Sequence, residues 1–193
     1  MLLLCAVLVG CSARFTTGDG GFYDTQTKRS YKPLGVSFEA VSGGDEVGTW
    51  KSKVDGEETV FRQIPGVDPA RFLTDDNGNV YYADELPPDA SAWNVQKIHV
   101  CEQGAVDVAV GNISDPDRIA QIRESWYHGE SAEKPLGGLW VSRMLKMESV
   151  DCPGIYYCVT YLVYEDGSAY FYDRDTGRVV AVSEELISII PIY

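Results

Sequence analysis

Apolar and polar positions divide this chain into stretches of different rhythm. An unbroken apolar run covers residues 2–9 and gives way to Gly10 and Cys11. It is short of the roughly 20 residues a permanent membrane helix needs, and a small residue closes it, as in a secretory leader. Residues 12–27 are rich in Gly and Thr without apolar periodicity, and read as a flexible tether. Across residues 36–98, short apolar pieces (VSFEAV, TWKSKV, TVFRQI, NVYYAD, WNVQKIHV) alternate with Gly, Pro, Asp and Asn. That alternation predicts short strands separated by turns.

A further strand is expected over 105–110, followed by the clearest helix in the chain. Ser114 offers a cap, Asp117 lies three residues later, and Pro116 stands in the first turn. Ile119, Ile122 and Trp126 then share one face before Gly129 stops the run. Residues 139–147 alternate as a half-buried strand. Residues 156–164 and 169–173 predict a hairpin across Asp166-Gly167. With a two-residue turn, Val163 pairs with Tyr170 and Tyr161 with Tyr172 on one face, and Leu162 with Phe171 on the other. A second turn, 173–177, leads to the strand 179–182, and the apolar end from 186 predicts a short helix or an edge strand. The fold class expected is α+β: a turn-rich β N-terminal part with short strand repeats, then one helix packed on an antiparallel β-meander.

Leu8-Val9-Gly10-Cys11 resembles the lipobox of bacterial lipoproteins: an aliphatic residue, a small or aliphatic one, Gly or Ala, then Cys. The resemblance implies cleavage before Cys11 and acylation of Cys11 as the first residue of the mature chain. Several acyl chains on one residue make a stable membrane anchor. Cys5 lies inside the apolar run and does not fit the motif. Ser12 after the cysteine, in place of Asp, is similar to the signal for outer-membrane sorting, with the domain facing the periplasm. No Lys or Arg precedes Leu2, so the natural start is expected upstream.

A weak repeat of about 21 residues runs through the β-rich part. Thr59-Val60-Phe61 with Asp68-Pro69-Ala70-Arg71-Phe72 recurs as Val80-Tyr81-Tyr82 with Asp89-Ala90-Ser91-Ala92-Trp93. Such a period suggests one small strand-and-turn unit stacked on its copy. These residues resemble the DKNYY family of bacterial modules, which repeats an Asp, a few polar residues, Val-Tyr-Tyr and then Ile-Pro-Gly-Ala-Asp-Pro-x-x-Phe. Residues 55–72 keep Ile64-Pro65-Gly66 and Asp68-Pro69, and residues 76–82 keep Val80-Tyr81-Tyr82. The resemblance implies an envelope module and no assigned chemistry. The expected organisation is a signal peptide (1–10), a lipidated Cys and tether (11–32), a DKNYY-like β repeat region (33–100) and an α+β antiparallel sheet region (101–193).

Composition narrows the function. A chain of 193 residues, 45% hydrophobic and 23% charged, has the make-up of a folded domain with a real core. Its net charge of −13 removes nucleic acid as a partner, because phosphate binding needs clustered Lys and Arg. Acidity leaves two readings, a cationic protein partner or simple solubility. Export would place Cys101, Cys152 and Cys158 where disulfides form. Three thiols allow one internal bridge, Cys152–Cys158 or either of these with Cys101. A tight turn at Pro153-Gly154 sets Cys158 opposite Ser149.

Candidate chemistry is sparse. His99 and Cys101 are two apart on an expected strand and share a face, with no third group visible to orient the imidazole. His128 suits the C-terminal end of the helix. Residues 75–79 superficially resemble a calcium loop, but Val80 occupies the place of the obligatory turn glycine, so a β-turn is expected. Asp173-x-Asp175-x-Gly177 reads as hairpin turn chemistry. Tyr161, Tyr170 and Tyr172 form a candidate interaction face. No catalytic, cofactor or metal site is assigned, since P-loop, GxSxG, HExxH and CxxC motifs are missing. The expectation is a lipid-anchored, non-enzymatic envelope protein with a protein-binding or structural periplasmic domain. A periplasmic immunity protein neutralising a delivered toxin is the second reading, and an envelope hydrolase the third.

Overall fold

The structure, a computed structural model, describes residues 13–83, 86–102 and 108–191. The lipobox-like stretch with Cys11, and residues 105–107 of the expected strand, lie outside these. The described chain is mostly antiparallel β with one main helix, an α+β fold.

The first 70 described residues build a small sheet of seven strands that curls almost shut. Its strands are β1 (Phe15–Gly18), β2 (Gly21–Asp24), β3 (Arg29–Pro33), β5 (Glu46–Lys51), β6 (Glu58–Arg62), β7 (Phe72–Asp75) and β8 (Val80–Tyr82); the intervening β4 (Phe38–Ala40) belongs elsewhere. The order is β1-β2-β3-β8-β7-β6-β5. Side chains rather than a ladder join the two edges. Arg14 Nη1 donates to Val47 O at 2.7 Å, and Trp50 Nε1 donates to Thr17 Oγ1 at 3.2 Å. The interior is aromatic: Phe15, Tyr31, Phe61 and Tyr81 are buried with Leu73, and Phe22 packs against them. Phe61 is the hub, with ring centroids 4.4 Å from Phe15, 4.8 Å from Phe22 and 5.2 Å from Tyr81. The last two contacts are edge-to-face, the arrangement aromatic quadrupoles favour.

The tether expected from residue 12 onward is therefore corrected: residues 15–33 form three barrel strands. Short strands around so narrow an interior supply only one or two inward side chains each. Here these are Phe15, Phe22 and Tyr31, too few to impose a visible period on a Gly- and Thr-rich stretch.

The larger sheet carries the second core. It runs β10 (Val108–Ile113), β9 (Val95–Glu102), β11 (Leu139–Ser149), β12 (Ile155–Tyr164), β13 (Ala169–Tyr172), β14 (Val179–Val182). β9 crosses the boundary expected at residue 100. β4 pairs with the first half of β12, at Ala40–Ile155 and Phe38–Tyr157, while β13 takes the second half. The helix α1 (Pro116–His128) and the short α2 (Glu184–Ile189) accompany this sheet. Asp115, one residue later than the expected Ser114, caps α1 by accepting from Arg118 N at 3.0 Å. Ile119, Ile122 and Trp126 are buried as expected, and Gly129 ends the helix. At 13 residues α1 would be marginal alone, so packing of that apolar face onto the sheet holds it.

Two registers differ from the sequence reading. The β12–β13 connection is a three-residue loop in which Gly167 adopts a φ of 84°, giving Tyr161–Phe171 and Leu162–Tyr170. A three-residue loop with a left-handed third residue shifts pairing by one from a two-residue turn, and one step exchanges the faces. Likewise Cys158 pairs with Lys146, not Ser149, because the 150–154 connection is wider than a tight hairpin.

The repeat is half structural. Asp68 and Asp89 each cap a single turn, accepting from Ala70 N and Ser91 N, and Phe72 and Trp93 then enter the large core. The strand halves are out of phase. Phe61 points into the barrel, whereas its counterpart Tyr82 packs against the large core and Tyr81 takes the interior place. β6 and β8 are separated by β7 rather than stacked.

Candidate functional site

The densest group of chemistry-bearing side chains lies on the face of the large sheet turned away from the main core. Alternation along β9, β11 and β12 places them there, and the register sets them in rows. Cys101 pairs with Met144 and Met144 with Thr160; His99 pairs with Lys146 and Lys146 with Cys158; Glu148 pairs with Tyr156 and Tyr156 with Glu39 of β4.

A Lys–Glu ion pair and a His–carboxylate hydrogen bond bracket Tyr156. Lys146 Nζ lies 2.6 Å from Glu39 Oε1, with side-chain exposures of 7% and 36%. His99 Nε2 lies 2.9 Å from Glu148 Oε2, which also takes Gln96 Nε2 at 3.4 Å on its other oxygen. The His99 ring meets Tyr156 edge-on at 5.4 Å, and Lys146 Nζ stands 5.9 Å from the Tyr156 centroid. Burial pushes the Tyr156 hydroxyl upward, with a further push from Glu148, against the opposing charge of Lys146.

Glu148 thus supplies the orienting carboxylate for His99 that sequence reasoning missed. It sits on the neighbouring strand, so nothing in the local spacing announces it. Cys101 is on the same face, as expected, but is only 5% exposed and packs with Met144 and Cys158. A thiol nucleophile needs access as well as a base, and burial withholds that access.

The cysteines do not fall into bridging positions. Cys152 lies in the main core, where burial raises its thiol, whereas Cys101 and Cys158 belong to the opposite face. Cys101 and Cys158 are separated by β11, about 10 Å at sheet spacing and beyond the roughly 7 Å a disulfide spans between Cα atoms. The described structure holds none of the candidate bridges, neither Cys152–Cys158 nor either alternative with Cys101.

The three-tyrosine face is corrected as well. Tyr161 is fully buried beside Phe171, 5.8 Å between ring centroids, and its hydroxyl has no hydrogen-bond partner among the described residues. Burial pushes that phenol up to about 12. Tyr170 and Tyr172 stay half-exposed on the other face, where Lys134 Nζ lies 4.8 Å from the Tyr172 ring.

The two acidic turns are occupied internally. Asp75 accepts from Asn77 N, Asn79 N, Asn79 Nδ2 and Tyr81 Oη between 2.8 and 3.0 Å. Those four bonds fill its lone pairs, so the turn is held by its own carboxylate. Asp173 is buried and accepts from Ser37 Oγ at 2.9 Å, Asp175 N at 2.7 Å and Tyr157 Oη at 3.3 Å. Trp126 Nε1 in turn donates to Tyr157 Oη at 3.2 Å. Asp175 takes the amides of Val36 and Ser37, both at 2.8 Å. The 173–177 turn therefore fastens the segment that leaves the barrel, a role its Asp-x-Asp-x-Gly spacing does not disclose.

Clefts of about 600 Å³ and 540 Å³ flank α2. Ala120, Glu124 and Leu186 line the first, and Asp166, Tyr170 and Glu184 the second. His128 stands 3.9 Å from Glu124, one turn earlier on α1. Among the described residues no helix is long and apolar enough to cross a membrane, and no group of three or more His, Cys, Asp or Glu is placed to hold a metal ion. No family model matches the chain, and comparison with curated proteins and with solved structures finds no match.

Proposed function

We propose that this chain is a lipid-anchored bacterial envelope protein, non-enzymatic, whose periplasmic domain binds another protein or supports the envelope. The observation that carries the reading is Leu8-Val9-Gly10-Cys11 standing only three residues ahead of Arg14, whose guanidinium is already bound into the described barrel. The lipobox-like and DKNYY-like residues support the same reading. The charged groups that would serve chemistry contribute to the architecture instead: His99 with Glu148, Lys146 with Glu39, Asp173 with Ser37. Outer-membrane placement follows from Ser12 after Cys11.

Fractionation of cells tests the anchor. The wild-type protein stays with membranes after high-salt and carbonate washes, and Cys11→Ala does not. Loss of the wild-type protein to the wash would overturn the reading.

A periplasmic immunity protein is the second reading, and the acidic rims of the clefts beside α2 favour it. Charge of −13 speeds capture of a cationic toxin in a salt-dependent manner. Affinity capture with the detergent-solubilised full chain would then retain one basic protein at low salt and lose it at high salt.

A further inference from the structure

We propose that, in the acylated protein, the barrel end at which β1 begins rests directly on phospholipid headgroups, with the 25–30 turn as its contact. The inference rests on the reading of Cys11 as the acylated residue, and adds to it an orientation set by covalent reach.

Arg14 is pinned. Its guanidinium holds Asp24 through Nε at 3.0 Å and Nη2 at 2.7 Å and reaches Val47 O, while its carbonyl accepts from Thr25 N and Thr25 Oγ1. Only Ser12 and Ala13 separate it from Cys11. Three residue steps span at most about 11 Å. A cysteine whose acyl chains are buried sits in the headgroup layer, itself about 5–8 Å deep per leaflet. The pinned end of the barrel therefore stays within about a Debye length of the surface, whatever path those few residues take.

What shares that end is set by register. Phe15 pairs with Asp24, and Asp24 with Arg29. The intervening turn is rigid, since Asp24 accepts from Gln26 N and Thr27 Oγ1 and Lys28 N bonds to Asp24 O. Residues 26–30 are exposed, and two of them, Lys28 and Arg29, are cations in a chain of net charge −13. Glu46 and Asp68 line a groove beside Arg14 that Thr27 of the turn also lines. Anionic headgroups attract the first pair and repel the second, which turns the exposed Lys28 and Arg29, rather than the groove, toward the surface.

The test uses the full chain, matured in a bacterial host and reconstituted in anionic nanodiscs carrying a headgroup-nitroxide lipid. Intact mass first establishes the acyl group; its absence overturns the underlying reading of Cys11 before any spectrum is taken. Amide signals are then compared before and after ascorbate quenches the nitroxide. The expected result is loss of more than half the signal at residues 25–30, little loss in the 53–57 turn at the opposite end of the barrel, and weaker broadening at 25–30 in K28E/R29E. An acylated protein with equal broadening at both turns, or none at 25–30, overturns the orientation while leaving the anchor standing.

Discussion

Replacing Asp24 by Asn tests whether the first twenty described residues belong to the fold. Asp24 is fully buried and receives a two-pronged bond from Arg14, a hydroxyl bond from Thr27 at 2.7 Å and the amide of Gln26 at 2.9 Å. Burial by itself would raise its pKa, but the bonds from Arg14 and Thr27 and the backbone amides outweigh it. They hold the carboxyl well below the ordinary range. Removing one partner of a buried pair costs about 3–5 kcal/mol, because the other charge is left behind. With an m-value of about 2–3 kcal/mol/M in urea, that moves the midpoint down by about 1–2 M. Trp50, which packs at the barrel, reports the transition by fluorescence. Thr27→Ala, removing one hydrogen bond, should cost about 1 kcal/mol. The pH dependence gives an independent arm. An unfolded Asp titrates near about 3.9 and the folded one lower, so between those values the unfolded chain binds more protons. Stability from this group is complete above about pH 5 and is lost as pH falls toward the folded value; in Asp24→Asn that part of the slope disappears. A midpoint shift equivalent to less than about 0.5 kcal/mol, with an unchanged acid slope, would mean that residues 14–33 are a dispensable tether after all.

Tyr161→Phe should stabilise the chain by about 1 kcal/mol in the same urea assay, because it removes a buried hydroxyl without a partner among the described residues; destabilisation of that size would contradict the register. The buried phenols of Tyr81, Tyr127, Tyr157 and Tyr161 are all raised, first by burial, Tyr127 and Tyr161 to about 12. The folded chain then binds more protons above about pH 10, so stability falls as pH rises through that range. Absorbance at 295 nm should show at least four of the twelve tyrosines ionising only with unfolding, and all twelve titrating near pH 10 in a folded chain would refute it. Gly154→Ala should cost about 2 kcal/mol or more in urea: its φ is 84°, and a Cβ would stand 2.8 Å from Ile64 Cγ2 and 2.9 Å from Pro65 O. An unchanged midpoint would place the 150–154 connection away from the 64–66 turn.

What was legible in the sequence follows from range. Local signals were strong where one element supplies both signal and partner. The Pro116 and Gly129 punctuation fixed α1 to within a residue, and Asp75 and Asp173 organise their own turns. Legibility failed where partners are distant in the chain. Glu148 orients His99 from 49 residues away, Ser37 meets Asp173 across 136, and β4 joins a sheet whose other strands begin at residue 95. The tyrosine face failed for a subtler reason. Asp166-Gly167 announces a hairpin, but whether the loop holds two residues or three is decided by Gly167 in the left-handed region, and that choice inverts every side chain of β13 relative to β12. The N-terminal strands were hidden because barrel interiors ask little of each strand.

The central claim, that a folded barrel is tied almost directly to a lipid, is tested most directly by the N-terminal peptide of the mature protein. Membrane-fraction protein is digested and its first peptide analysed by mass spectrometry. The account predicts a peptide beginning at Cys11 and carrying glyceryl-linked acyl mass. A mature chain that keeps an unmodified Cys11, or begins beyond it, would contradict the claim.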